Sequence, residues 1–195
     1  QGIKDAREMT RIVGDLLHVP AQQVLIAATG VIGQPLPMDR IRAGLPKLVK
    51  ALSPQGSRSA AEAIMTTDTV PKEAALRVEV GWRPITIGGI AKGVGMLEPH
   101  LATMFCFLAT DAAIAADALQ TALRHAVDRS LNRITVDGDQ STSDTVAVMA
   151  NGLAENAPLE TGGRGLRQFR LALEAITGRL ARMLVQDGEG ATRLV

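Results

Sequence analysis

The sequence predicts a mixed α/β protein. Apolar residues recur at helical spacing in separate stretches, short apolar runs of strand length lie between them, and the two patterns alternate along the chain. No internal repeat or low-complexity segment interrupts the alternation. The 195 residues suit one large domain or two small ones, and a single domain over 1–195 is the expectation.

The elements follow in order. Residues 4–17 place Ala6, Met9, Ile12, Val13, Leu16 and Leu17 at helical spacing, and Pro20 ends that helix. "QVLIAATG" (23–30) reads as a short buried strand closed by a glycine. "VIGQPLPM" (31–38) is a two-proline loop. Asp39 opens a second helix, interrupted near Pro46 and ending around Leu52. "SPQGS" (53–57) is a turn, and Ser57 or Ser59 can cap a short helix through Met65. Residues 76–91 read as a hairpin: "LRVEV" alternates, "GWRP" turns and "ITIGGIA" returns. "TMFCFLAT" (103–110) is a buried strand. Residues 115–131 form an amphipathic helix with Leu119, Leu123, Ala126 and Val127 on one stripe. "RITVDG" and "DTVAVMANG" read as strands flanking a polar loop, 153–165 as a loop, 166–186 as a last helix, and the chain closes on what looks like the start of a strand.

Composition narrows the function. Aromatic residues are only 2%, with no Tyr, which argues against the stacking platforms of single-strand nucleic-acid binders. A net charge of +1 predicts no electrostatic capture of nucleic acid or acidic membrane. The single cysteine, Cys106, rules out an intrachain disulfide and fits inert packing in a reducing, cytoplasmic setting. No apolar stretch approaches the length that spans a bilayer.

Several residues could carry chemistry. Thr103 stands where "KGVGMLEPHLATMF" (92–105) passes from a glycine- and proline-rich loop into an apolar run. A threonine hydroxyl is a weak nucleophile and needs a base. Cutting the Ala102-Thr103 bond would supply one on the same residue, an α-amine with a pKa of about 8. On pattern alone, an ordinary strand-initiating residue is the favoured reading of Thr103. Thr29 and Gly30 at a strand-to-turn junction could form an oxyanion hole, or merely a tight turn. Lys92 could hold a carboxylate, or be a surface lysine. "IMTTDTVPKEA" (64–74), with Thr66 and Asp68, could hydrogen-bond a polar substrate, or be a capped turn. Glu189, between two glycines, could bind an ammonium. "DGDQSTSDT" (137–145) fails as a calcium loop, because position twelve is Val148. His18, His100 and His125 show no metal-ligand pairing, and Cys106 lies in the wrong setting for a reactive thiolate.

Taken jointly, "ATGVIGQPLPMDRI", "AAEAIMTTDTVPKEA", "IGGIAKGVGMLEPHLATM", "TDAAI", "VDRSLNRITVDGDQSTSDTVAVMANG" and "QDGEGATR" resemble the ornithine acetyltransferase family, the bifunctional glutamate N-acetyltransferases of arginine biosynthesis. The likeness covers nearly the whole chain and is weakest in 153–170. It implies a layered α/β sandwich (α+β, the DmpA/ArgJ-like fold), related in chemistry to N-terminal nucleophile hydrolases. It implies self-cleavage at Ala102-Thr103 into an α chain (1–102) and a β chain (103–195). The acetyl group would pass from N-acetylornithine to glutamate through an acetyl-Thr103. Thr29 and Gly30 match the family's oxyanion-hole pair, and Thr66, Lys92, Thr103 and Glu189 match substrate-contacting positions. No cofactor is implied, although some members use acetyl-CoA as a substrate. Partners would be the two amino acids and an α/β assembly, a heterotetramer, with no nucleic acid and no membrane. Val94, His100 and Leu101 depart from the Ser, Asn and Met common in the family's loop. The family also has a segment before residue 1 and a region after the "DGEGAT" motif, so the chain is expected to be incomplete at both ends. An N-terminal-threonine amidase or aminopeptidase, and a truncated non-catalytic remnant, stand as alternatives.

Overall fold

The computed structural model describes residues 1–31, 33–98, 100 and 103–194. Backbone contacts divide the chain into two compact units, Gln1–Gly56 and Ser57–Val195, and each is described by itself.

The first unit pairs two helices, α1 (Gly2–Leu17) and α2 (Met38–Lys50). Their periodic apolar faces meet around Met9 and Met38, both buried. The Arg42 guanidinium grips Glu8 in bidentate fashion, Nε to Oε1 at 2.6 Å and Nη2 to Oε2 at 3.0 Å. Contrary to the sequence expectation, α2 runs through Pro46 without a break. A proline removes one donor from the ladder, and the neighbouring turns hold, closing with Ala51 N–H on the Lys47 and Leu48 carbonyls. The predicted strand at 23–30 is also corrected. A 3-10 turn occupies Ala21–Gln23, and residues 24–30 belong to no strand. Val24 has extended dihedrals, but none of the sheet strands lies in this unit, so the run has no ladder to join.

The second unit is a four-stranded sheet with helices packed on it. Helix α3 (Ser57–Ala63) leads to strands β1 (Lys72–Val80), β2 (Arg83–Lys92), β3 (Phe105–Thr110) and β4 (Thr145–Ala150), which lie in the order β1-β2-β3-β4. β1 and β2 form the predicted hairpin, closed by Gly81 (φ 65°) and a fully exposed Trp82. β2 and β3 are antiparallel. β3 and β4 are parallel, so a crossover must separate them, and helix α4 (Ala116–Asp128) supplies it. Helix α5 (Arg164–Gln186) lies on β1 and β2. Alternation along the strands sends Ile85, Ile87 and Ala91 of β2, and Cys106 and Leu108 of β3, into one buried cluster with Phe169, Leu173, Ile176, Leu180 and Leu184 of α5. Apart from Phe169 the side chains named in this cluster are non-aromatic, in keeping with the low aromatic content.

Three strand boundaries differ from expectation. "RITVDG" forms no strand: a 3-10 turn covers Leu131–Arg133, and the backbone beyond it serves a neighbouring loop, with Val136 N–H donating to the Leu97 carbonyl at 3.0 Å. β3 begins at Phe105, two residues after Thr103. Residues 188–194 are irregular.

Leu180 is fully buried, and its Cδ1 lies only 3.1 Å from where a Cβ on Gly89 would stand. Leu180→Ala is expected to cost about 2–5 kcal/mol in urea unfolding followed by circular dichroism. Trp82→Ala, at an exposed turn, should shift stability by no more than about 0.5 kcal/mol.

Candidate active site

The site is assembled where β1 begins, β2 ends and α5 ends. The break between α3 and β1 carries Thr66 and Asp68. Asp68 is buried and fully employed: Oδ1 accepts the Gly93 N–H at 2.8 Å and the Lys72 ammonium at 2.7 Å, and Oδ2 accepts the Thr66 N–H at 3.2 Å. Lys72, the first residue of β1, is fully buried. Its Nζ also donates to Asp187 Oδ2 at 2.6 Å and to the Val70 carbonyl at 3.2 Å. Asp187, at the C-terminal cap of α5, accepts the Thr69 N–H at 2.9 Å and the Thr69 hydroxyl. Lys92 closes β2 and is buried. Its Nζ donates to Thr66 Oγ1 at 2.7 Å and stands 3.9 Å from Asp68 Oδ2.

Burial alone would raise the Asp68 carboxyl, but the Gly93 N–H, Lys72 and the Thr66 N–H hold it below the ordinary carboxylate range. Asp187 behaves alike: Lys72 and Thr69 outweigh its desolvation. Burial pushes Lys92 down, Asp68 partly offsets this, and the Lys72 charge adds to the lowering.

The loop after Lys92 carries these contacts to Thr103. Gly93 has φ 137°, and a Cβ there would lie 2.9 Å from the Thr103 carbonyl oxygen; only glycine permits both. The Thr103 N–H donates to the Met96 carbonyl at 2.8 Å. Met96 itself has φ 50° and is pinned by Asp137, whose Oδ2 accepts the Met96 N–H at 2.7 Å and whose Oδ1 accepts the Leu97 N–H at 3.1 Å. Those bonds outweigh desolvation and keep Asp137 below its usual range. Glu189 reaches the same loop: its N–H donates to the Val94 carbonyl at 2.7 Å, and its Oε2 would be 3.1 Å from a Cβ on Gly95. Thr103 Oγ1 is buried and makes no hydrogen bond among the described residues.

Of the residues singled out by sequence, Thr66 and Lys92 are therefore in direct contact, and Thr103 and Glu189 are tied to the loop that continues from Lys92. Thr29 and Gly30 belong to the first unit, Thr29 half-buried and Gly30 exposed. Ala102 lies outside the described residues, as does Leu101. Cys106 is buried in the core, where desolvation pushes its thiol up to about 12. Sequence reasoning missed Lys72 and Asp187. The four-residue spacing of Asp68 and Lys72 was available as a signal, but Asp187 meets them only through the fold. No group of three or more His, Cys, Asp or Glu side chains among the described residues is arranged to hold a metal ion. No helix among them is long and apolar enough to cross a membrane. A hollow of 620 Å³ lies elsewhere on the sheet, lined mainly by small and apolar residues such as Gly88, Ile90, Phe107 and Met149, and by none of Thr66, Lys92, Thr103 or Glu189.

Asp68 and Asp187 are both depressed in the folded state, so unfolding at low pH takes up protons. Their contribution is full above the ordinary carboxylate value of about 4 and drains away as pH falls through it toward the lowered folded values. The melting temperature is thus expected to fall as pH drops below 4. Asp68→Ala, which strips Lys72 of one partner, should cost about 3–5 kcal/mol at neutral pH and flatten that acid dependence.

Comparison with known proteins gives this geometry its context. The arginine biosynthesis bifunctional protein ArgJ of Symbiobacterium thermophilum is 53% identical over all 195 residues, which span 48% of that protein. The protein of the same name from Methylococcus capsulatus is 48% identical, again over the whole chain and 48% of its own length. The chain thus spans about half the length of these relatives. The crystal structure of the Bacillus halodurans ArgJ protein aligns with a TM-score of 0.47 at 38% identity, over 51% of this chain and 52% of that one. The model of the ArgJ family matches residues 1–195, and the chain belongs to that family.

Proposed function

We propose that this chain carries the acetyl-transfer site of a glutamate N-acetyltransferase of arginine biosynthesis, with Thr103 as nucleophile. The observation that carries the reading is the buried Thr103 hydroxyl, free of hydrogen bonds among the described residues, beside a loop tied to Thr66, Lys92 and Glu189. A buried hydroxyl left unpaired costs about 1–3 kcal/mol and is a group held ready for a reacting partner. The relatives' name, a bifunctional protein of arginine biosynthesis, supports the same assignment.

Self-cleavage comes first. Thr103 Oγ attacks the Ala102 carbonyl, the C–N bond breaks, and the hydroxyl proton passes to the departing Thr103 nitrogen. Water then opens the resulting ester, leaving an Ala102 carboxylate on the α chain and restoring the hydroxyl on the β chain. The freed α-amine is the base for transfer. It takes the hydroxyl proton as Oγ attacks the acetyl carbonyl of N-acetylornithine, and it returns that proton to the departing ornithine amine. Glutamate enters as the neutral amine, attacks the acetyl-Thr103 ester, and gives up a proton to restore the hydroxyl. We assign the oxyanion to Thr29 and the Gly30 N–H on their motif. Lys92 suits the substrate carboxylate and Glu189 its ammonium. Acetyl-CoA is a second acetyl donor for the same nucleophile, and an assembly of α and β chains is the working form.

Incubation with N-acetylornithine should add one acetyl group to a fragment beginning at Thr103, read by intact mass. Free acetate released at full rate without glutamate would instead favour an amidase. Thr103→Ala should abolish both cutting and transfer; cutting that persists in this variant refutes the assignment. Thr29→Ala, if cut, should lose about 10²–10³-fold in kcat.

A further inference from the structure

Two lysines and two carboxylates are gathered at the site, yet they are not paired evenly. Asp68 and Asp187 both make short contacts with Lys72, at 2.7 and 2.6 Å, whereas the Lys92 ammonium stands 3.9 Å from Asp68 and donates to a neutral hydroxyl, Thr66 Oγ1. All three partners of the Lys72 ammonium are oxygens: two carboxylates and the Val70 carbonyl. Lys72 is fully buried, while its carboxylates are tied further by the backbone N–H groups of Thr66, Thr69 and Gly93.

We infer that Lys72 is a positioning residue that sets substrate affinity: by engaging Asp68 it keeps that carboxylate from closing onto Lys92, and so leaves the Lys92 ammonium open to the substrate's carboxylate. The inference rests on the reading of Lys92 as a substrate contact. Its physical basis is competition. Two cations share the same neighbouring anion, and only the closer one is hydrogen-bonded to it. If the Lys72 charge is removed, Asp68 keeps its negative charge in a buried place, where an unpaired charge is costly. The nearest remaining cation is Lys92. An ion pair there would have to be broken before a substrate carboxylate could bind, whereas the chemistry at Thr103 would be unchanged once substrate is seated. The effect therefore falls on KM rather than kcat.

The test compares Lys72→Met with Lys72→Arg in the self-cleaved enzyme, measuring steady-state acetyl transfer from N-acetylornithine to glutamate. Lys72→Met is expected to raise KM for N-acetylornithine about tenfold or more, the size of one charge-assisted hydrogen bond, with kcat within about threefold. Lys72→Arg, which retains the cation, should restore KM toward the parent value. If Lys72→Met does not fold, Lys72→Met/Asp187→Asn removes one charge of each sign and keeps Asp68 facing Lys92; the same rise in KM is expected. A folded, self-cleaved variant of either kind with unchanged KM overturns the inference, as does an effect confined to kcat. Lys92→Met separates the two levels. If it leaves KM unchanged, the reading of Lys92 fails, and the inference with it. If it raises KM while the Lys72 variants do not, only the inference fails.

Discussion

The Asp68 carboxylate is the interaction on which the site depends. It is buried, so its charge is tolerated only because every neighbour is a donor: two backbone N–H groups and the Lys72 ammonium. Those donors come from three places in the chain, the Thr66 turn, the start of β1 and the end of β2. Lys72 adds a fourth through Asp187 at the end of α5. One charge thus fixes four chain segments that the β-ladders alone would leave free at their ends. Burying an ion pair is no evidence of net stability. Its use here is geometric, because hydrophobic contacts are non-directional and could not set the distance between Lys92 and Thr66.

From that anchor the loop to Thr103 is held by successive, different devices. Gly93 N–H is bound by Asp68, the Val94 carbonyl by the Glu189 N–H, and the Met96 and Leu97 N–H groups by Asp137. Met96 adopts positive φ without being glycine, a conformation that persists only where the surroundings over-determine it. The consequence is that the Met96 carbonyl points to the Thr103 nitrogen. On the proposed reading, the same acceptor would serve that nitrogen as an amide before cutting and as an amine afterwards, so this contact would need no rebuilding between the two states.

How much of this was legible in the sequence varies with the range of the interaction. The hairpin over β1 and β2, the α4 and α5 helices and the β4 strand follow from periodicity and turn chemistry, which are local. The "RITVDG" segment was misread because its alternating pattern is that of a strand, whereas its backbone is taken by Leu97, nearly forty residues earlier in the chain. The 23–30 run fails for the complementary reason: it has strand character but no strand to pair with. At the site, Thr66, Lys92, Thr103 and Glu189 were singled out through the family's motifs, since on pattern alone Thr103 reads better as a strand starter. Lys72 and Asp187 were not recovered. A lysine opening an exposed-looking strand and an acid ending a helix look like solvated charges, and only their separation of 2.6 Å reveals a buried pair.

The burial of Thr103 Oγ has a further meaning when set beside this framework. Along the same loop the Lys92 ammonium donates to Thr66, the Gly93 N–H to Asp68 and the Thr103 N–H to Met96, and none of these bonds involves the Thr103 hydroxyl. On the proposed reading, a buried hydroxyl without a hydrogen bond among the described residues has no such bond to break before it attacks. Such an arrangement is maintained at the expense of stability, and it is stable only if the surrounding donors and acceptors are satisfied without it. On the proposed reading, reactivity at Thr103 and the ionic pairing of Asp68 with Lys72, more than thirty residues earlier in the chain, meet in one loop, which Asp68 anchors through the Gly93 N–H.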